Sequence, residues 1–349
     1  MIGAGARDGT AVPSTTTSPT MAAVSKKWPL EAHRRPCVSC RCAIPRLSVG
    51  EGVEEIENFS FYGCTSLHEI IIPPAVRVIP YEAFAECSQL AIVVLGEGLE
   101  MIRRCAFSRC TSLREIVIPP AVRRIEDGAF NECYELTTAD LGEGRLEEIG
   151  KVGFHQCTSL QHIVISPAVR VIEDGAFQLC SELAIVILGE GLEVIGRCAF
   201  SRFTSLRDIV FPPAVRRIEV GAFQLCSELA IVILGEGRLE KIGVSAFARC
   251  TLLRKIVIPH ATRRIEASAF NECLQLAIAI LGGGLEEIGE DAFFEYTLLH
   301  EIVIPPAVRK IKERAFFELL AVGDCGSRQE AGGDWEVGIS QMHIAFVES

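Results

Sequence analysis

The sequence predicts an α/β repeat solenoid, a superhelix of 23-residue coils with one short parallel strand and one short helical or 3-10 turn per coil. Three observations predict it. First, a phenylalanine returns throughout: Phe61, Phe84, Phe107, Phe130, Phe154, Phe177, Phe200, Phe223, Phe247, Phe270, Phe293 and Phe316. Second, each Phe follows a leading isoleucine, from Ile56 to Ile311, and nine of the eleven intervals between these isoleucines are 23 residues. The other two are 24 and carry an extra Arg145 or Arg238 in a Gly-Glu-Gly-Arg turn. Third, each unit contains Leu-x-x-Ile-x-Ile, as in Leu67, Ile70 and Ile72, whose alternation fits a strand. One such unit cannot bury its own Phe and Leu, so neighbours must stack.

Within a unit the strand ends at Pro73-Pro74 or its equivalents, because proline has no N–H for the ladder. Ala-Val-Arg-Val-Ile then forms a second extended side leading to the Ala-Phe turn, where one helical turn is expected. Phe107, Phe130, Phe154, Phe177, Phe200, Phe223, Phe247 and Phe270 are expected to form the structural ladder of the core. Units alternate between a Pro-Pro-Ala-Val-Arg type and a Gly-Glu-Gly-Leu-Glu type. Arg-Cys-Ala-Phe-Ser-Arg recurs at 104–109 and 197–202, the offset of the two inserted arginines, so a four-coil block reads as duplicated.

Residues 56–320 are the solenoid, of about 11–12 coils. Residues 37–55 read as a degenerate capping coil, because Val49-Gly-Glu-Gly-Val matches Leu95-Gly-Glu-Gly-Leu. Residues 1–36 are rich in Ser and Thr and carry Lys26, Lys27, Arg34 and Arg35; they read as a disordered tail, with an organelle transit peptide as the alternative. Residues 321–349 hold Trp335, Val337 and Ile339 at strand spacing and are a cap strand or a disordered tail.

Fifteen cysteines could signal disulfides, yet nine occupy one repeat position: Cys64, Cys87, Cys110, Cys133, Cys157, Cys180, Cys226, Cys250 and Cys273. Phe203, Tyr296 and Leu319 fill the same position elsewhere, so it is an apolar packing site of free thiols. That favours a reducing, intracellular and cytoplasmic setting, with an organelle or the cell surface as alternatives. Cys37, Cys40 and Cys42 with His33 lack a second ligand pair at zinc spacing. No metal or other cofactor is expected.

The 23-residue unit Ile-x-x-x-Ala-Phe-x-x-Cys-x-x-Leu-x-x-Ile-x-Ile-Pro resembles the BspA-type, or Treponema-type, leucine-rich repeat over about three quarters of the chain. The resemblance implies a solenoid that binds other macromolecules, often on cell surfaces.

Function is expected to be non-catalytic. The histidines are scattered, and no nucleophile-base constellation appears. A net charge of −11 opposes nucleic-acid binding, and no apolar run is long enough to span a membrane. Two residues before the leading isoleucines, Arg77, Glu100, Arg123 and their successors alternate without a break to Arg309, so these arginines should be neutralised by neighbouring coils. Cys105 and Cys198 lie off the packing ladder beside Arg104 and Arg197, a setting that lowers a thiol pKa and suggests a redox alternative.

The expected partner-binding surface is the strand face. One outward column is apolar nearly throughout, including Val94, Ile187, Ile233 and Ile280, with Asp140 as the exception. The flanking column alternates charge with apolar residues: Ile92, Ile185, Asp208, Ile231, Lys255 and Ile278 belong to it. The reading is a protein-protein interaction scaffold, with surface adhesion or host contact as the rival. The partner's identity and the oligomeric state are not encoded in the repeat.

Overall fold

A computed structural model describes residues 45–295, 298, 299, 301–317 and 343–345. The expectations for residues 1–36 and for Cys37, Cys40, Cys42, Tyr296, Leu319, Trp335, Val337 and Ile339 lie outside them. The chain winds as a solenoid in which strands of successive coils pair in parallel at offsets of 23 or 24 residues, as in Glu69↔Ile92 and Thr138↔His162. Three-residue strands such as Glu69–Ile71, Ile92–Val94 and Glu115–Val117 make one side of each coil. Two-residue strands, from Val78–Ile79 to Lys310–Ile311, make a second side as an unbroken eleven-stranded sheet. At the C-terminal edge His343–Ala345 pairs antiparallel with Glu301–Val303.

The core is a set of files running along the axis. The twelve rings from Phe61 to Phe316 stack with centroids 5.0–5.5 Å apart and planes within 14° of parallel. From Phe84 to Phe293 they are fully buried. The cysteine file beside them does more than fill space. From Cys87 to Cys273 each thiol of the file donates to a Phe carbonyl of the preceding coil, as Cys110 does to Phe84 at 3.2 Å and Cys133 to Phe107 at 3.2 Å. The same carbonyl accepts the backbone N–H of the Cys in its own coil (Cys110 to Phe107, 3.3 Å). A serine or alanine could not fill both roles, one being too polar and the other lacking a donor.

The Ala-Phe turn departs from the sequence expectation, for no helix occurs among the described residues. Its residues form successive tight turns, with Ala106 N–H on Arg103 O and Ser108 N–H on Cys105 O. The alternate amides donate across to the next coil: Cys105 to Asp127, Phe107 to Ala129 and Arg109 to Asn131, at 2.8–2.9 Å. Donating outward requires a left-handed residue at every fourth position, here Cys105 (φ 54°) and Arg109 (φ 60°), and a right-handed helix cannot contain them. Gly128 fills the first of these columns without strain, whereas the β-branched Val152 is held there at φ 48°.

The alternation of the two unit types follows from backbone approach. A Cβ on Gly98 would lie 2.1 Å from the Pro74 carbonyl oxygen, so the Gly-Glu-Gly coil can sit on the Pro-Pro coil only without side chains. Gly98→Ala must displace backbone and is expected to cost about 3 kcal/mol or more, of the order of strong overpacking; an unchanged thermal midpoint would refute that account.

The strand sheet itself is uneven. Its inward middle residue is Ile in every Pro-type coil, and Val93, Ala139, Val186, Val232 or Ala279 in the Gly-type coils. After each Ala the next strand pairs at all three positions. After Val93 and Val232 only Ile92↔Glu115 and Ile231↔Lys255 pair, and after Val186 the sheet divides, between Ile185–Ile187 and Asp208–Val210. The valines retain 6–8% exposure against 1–3% for the alanines, as expected if the larger side chain lifts its strand off the core. At Val186 the following coil also carries Phe203 in place of Cys, edge-on to Phe200 at 5.8 Å, so both neighbours crowd the junction. Val186→Ala should join the two sheets and slow amide exchange at residues 207–210 by roughly 5- to 10-fold, the worth of about one hydrogen bond. Unchanged exchange there would show that Phe203 alone divides the sheet.

Candidate interaction surface

The strand face is built by the alternation of the three-residue strands, whose middle residue points inward and whose first and third point out. Parallel register then lines equivalent outward residues across coils: Val164 beside Ile187, Val210 beside Ile233, and Val257 beside Ile280. Val94, Ile187, Ile233 and Ile280 are 42–54% exposed, and Ile92, Ile185 and Ile231 slightly more than half. Asp208 and Lys255 are exposed and Ile278 is half-buried. Asp140 interrupts the apolar column for a local reason, since its Oδ1 accepts the Gly142 N–H at 2.8 Å and caps the turn. The structure thus brings the predicted residues together, except that the divided sheet separates Ile185 and Ile187 from Asp208 and Val210.

The alternating charges form a backbone-bonded column on the other side. Glu100 N–H donates to Arg77 O, Arg123 to Glu100, Glu147 to Arg123, and so on to Arg309 on Glu286. Ion pairs close at Arg77–Glu100, Arg170–Glu193 and Arg263–Glu286, the last at 3.0 Å. They recur every fourth coil, at the spacing of the duplicated block. Being exposed, such pairs are worth well under about 1 kcal/mol each.

A polar network at the Ala-Phe turns escaped the sequence reading, because Glu86, Arg109 and Glu132 share one repeat position whose identity varies from coil to coil, among them Leu179 and Leu225. Arg109 bridges Glu86 at 3.3 Å and Glu132 at 3.2 Å, and the Tyr134 hydroxyl donates to Glu132 at 3.0 Å. Burial would raise the Glu132 carboxyl, but Tyr134, Arg109 and Asn131 outweigh it and hold it below the usual range. His155 Nδ1 lies 2.9 Å from Asn131 Oδ1, and burial depresses the imidazole pKa. At the equivalent Asn271 the next coil offers Phe294 instead of a histidine, and Asn271 Oδ1 is buried without a partner.

The expected thiol activation at Cys105 is corrected. Burial pushes this thiol up, and the Glu82 and Asp127 carboxylates add to the effect, outweighing Arg104. Cys198 occupies the same left-handed turn position four coils on and is likewise half-buried. Within the file, burial raises Cys110, Cys133, Cys157 and Cys250 well above the ordinary range and Cys226 to about 12. Among the described residues no group of three or more His, Cys, Asp or Glu could hold a metal ion. Nor is any helix among them long and apolar enough to cross a membrane.

A solenoid of this repeat defines the class of protein, and the family comparison agrees. The model of the BspA type leucine rich repeat region matches residues 37–144, 100–230, 147–276 and 231–322, and the chain belongs to that family. Among solved structures it is similar to a leucine rich cell surface protein from Faecalibacterium prausnitzii, with 27% identity over 77% of this chain and 79% of that one and a TM-score of 0.46. A leucine-rich repeat protein from Bacteroides ovatus shares 24% identity over 72% and 84%, with a TM-score of 0.42. The leucine-rich repeat protein of T. pallidum shares 27% over 60% and 78%, at 0.34. No curated protein matches the chain significantly.

Alkylation tests the two thiol environments. Iodoacetamide at pH 8 should label Cys105 and Cys198 in the native protein and spare Cys110, Cys133, Cys157, Cys226 and Cys250 until denaturant is added. Native labelling of the file, read by peptide mass spectrometry, would overturn the assignment of these thiols to a closed core.

Proposed function

We propose that the chain is a non-catalytic protein-binding scaffold whose partner seats along the strand face. The observation that carries this reading is the run of about half-exposed isoleucines and valines held in register across successive coils. Isolated exposed apolar residues are ordinary, but a contiguous file rimmed by charge is typical of an interaction surface. The rigid ladder beneath supports it, because a preformed face loses little conformational entropy on binding. The buried thiol file favours a compartment in which these cysteines stay reduced.

The test is affinity capture with the wild-type chain beside Ile185→Glu/Ile231→Glu/Ile278→Glu. All three positions point away from the core, so the variant should keep its melting temperature within a few degrees and lose its specific partners. Identical partner sets from two equally folded proteins would remove the strand face from consideration. Labelling of a tagged full-length protein on intact cells separates an internal scaffold from a surface adhesin.

A further inference from the structure

We infer that the strand face carries a seat for an acidic, apolar peptide segment, in the shallow depression between Ile231–Ile233 and Lys255–Val257. The inference rests on the strand-face reading and names the chemistry of its partner. The depression is lined by Ile231, Ile233, Arg254, Lys255 and Val257. It lies at one of the loosened junctions, where the two strands pair only at Ile231↔Lys255. Val232 beneath it is larger and less completely buried than the alanines found at the same inward position of the junctions that pair fully.

Its charge is what selects the occupant. In the other Pro-type strands the outward residue equivalent to Lys255 is Glu69, Glu115, His162, Asp208 or Glu301. At Arg114-Glu115 and Arg207-Asp208 an arginine is therefore followed by an acid, but Arg254 is followed by a second cation. No ion pair involving Arg254 or Lys255 is formed among the described residues. On both sides the neighbouring strands present Ile231 and Ile278 to Lys255. The acids of that column, Asp208 and Glu301, stand two strands away, roughly 10 Å at the usual strand spacing. That is about one Debye length in physiological salt, so they do not cancel the local field. A segment that presents carboxylates and aliphatic side chains on one face satisfies the two cations and covers the isoleucines. On a chain of net charge −11, unspecific attraction would favour a basic ligand instead.

The test uses the full chain and three labelled nonapeptides built of Glu and Leu, Lys and Leu, or Glu and Ser, arranged in pairs so that both residue types share each face, followed by fluorescence anisotropy at low and physiological salt. The Glu/Leu peptide should bind at least tenfold more tightly than the other two, with the margin shrinking as salt rises. Lys255→Glu should abolish that preference. It installs the residue found at the same position in three other strands, so folding is retained and checked by the melting temperature. Arg114→Glu, a charge change elsewhere on the face, should leave binding within about twofold. Equal or tighter binding of the Lys/Leu peptide, or indifference to Lys255→Glu, overturns the acidic-segment inference. If that happens while the triple isoleucine variant still loses its captured partners, the acidic partner falls and the strand face stands. If both fail, the face is not the binding surface.

Discussion

Everything in this solenoid depends on one hydrogen bond repeated along the axis, from the N–H of each core phenylalanine to the carbonyl of the residue preceding the next one, Gly153 for Phe130 and an alanine elsewhere. Its length is 2.7–3.0 Å at Phe84, Phe107, Phe154, Phe177, Phe200, Phe223, Phe247, Phe270 and Phe293. It fixes the turn side of the coil at the rise set by the two strand ladders. With all three sides at one rise, rings must stack about 5 Å apart, and each thiol falls within reach of the carbonyl one coil back. The left-handed residues follow as well: turning alternate amides outward along the axis is incompatible with helical dihedrals, so strain of the order of 1 kcal/mol per residue persists because three neighbouring bonds enforce it.

Much of this was legible in the residues. The Phe period identified the coil, the Leu-x-x-Ile-x-Ile run placed the strand, and the Arg/Glu alternation placed a column that the backbone bonds from Arg77 to Arg309 do connect. The helical turn was the misreading, and its cause is physical. Ala-Phe-Ser-Arg-Cys is compatible with helix by composition, and nothing local announces that Cys105 and Arg109 are left-handed; only the competition of the next coil for their amides decides it. The glycines at 128, 175 and 221 were the available signal, since they occupy the same column. The thiol donors were equally hidden, because a site that also accepts Phe203 looks purely apolar.

The candidate surface was legible as columns, but its continuity was not. Val against Ala at the inward middle position of the Gly-type coils is a change of two methyl groups, small enough to pass as noise in a repeat alignment. In a stack it is not small, because an interior at crystal-like density has no slack to absorb it within one coil. Pairs are missing at the junctions after Val93, Val186 and Val232 and are complete after Ala139 and Ala279.

That coupling bears on where recognition can arise in so regular a molecule. A perfect repeat presents the same surface at every coil, so it can offer area but no preferred register to a partner. Register must come from departures: a bulge in the sheet, a break in a charge pattern, or both at one place. Phe203 and Val186 supply a division without a charge change. Val93 supplies a loosened junction beside Glu115, whose acid keeps the ordinary pattern. Only between Ile231–Ile233 and Lys255–Val257, among the described strands, do a loosened junction and a reversed charge coincide. A partner that slid by one coil in either direction would exchange Lys255 for Ile231 or Ile278. For a partner seated on the proposed strand face, that one cation, at a position held by acids or His162 in the other Pro-type coils, would set its position along the solenoid.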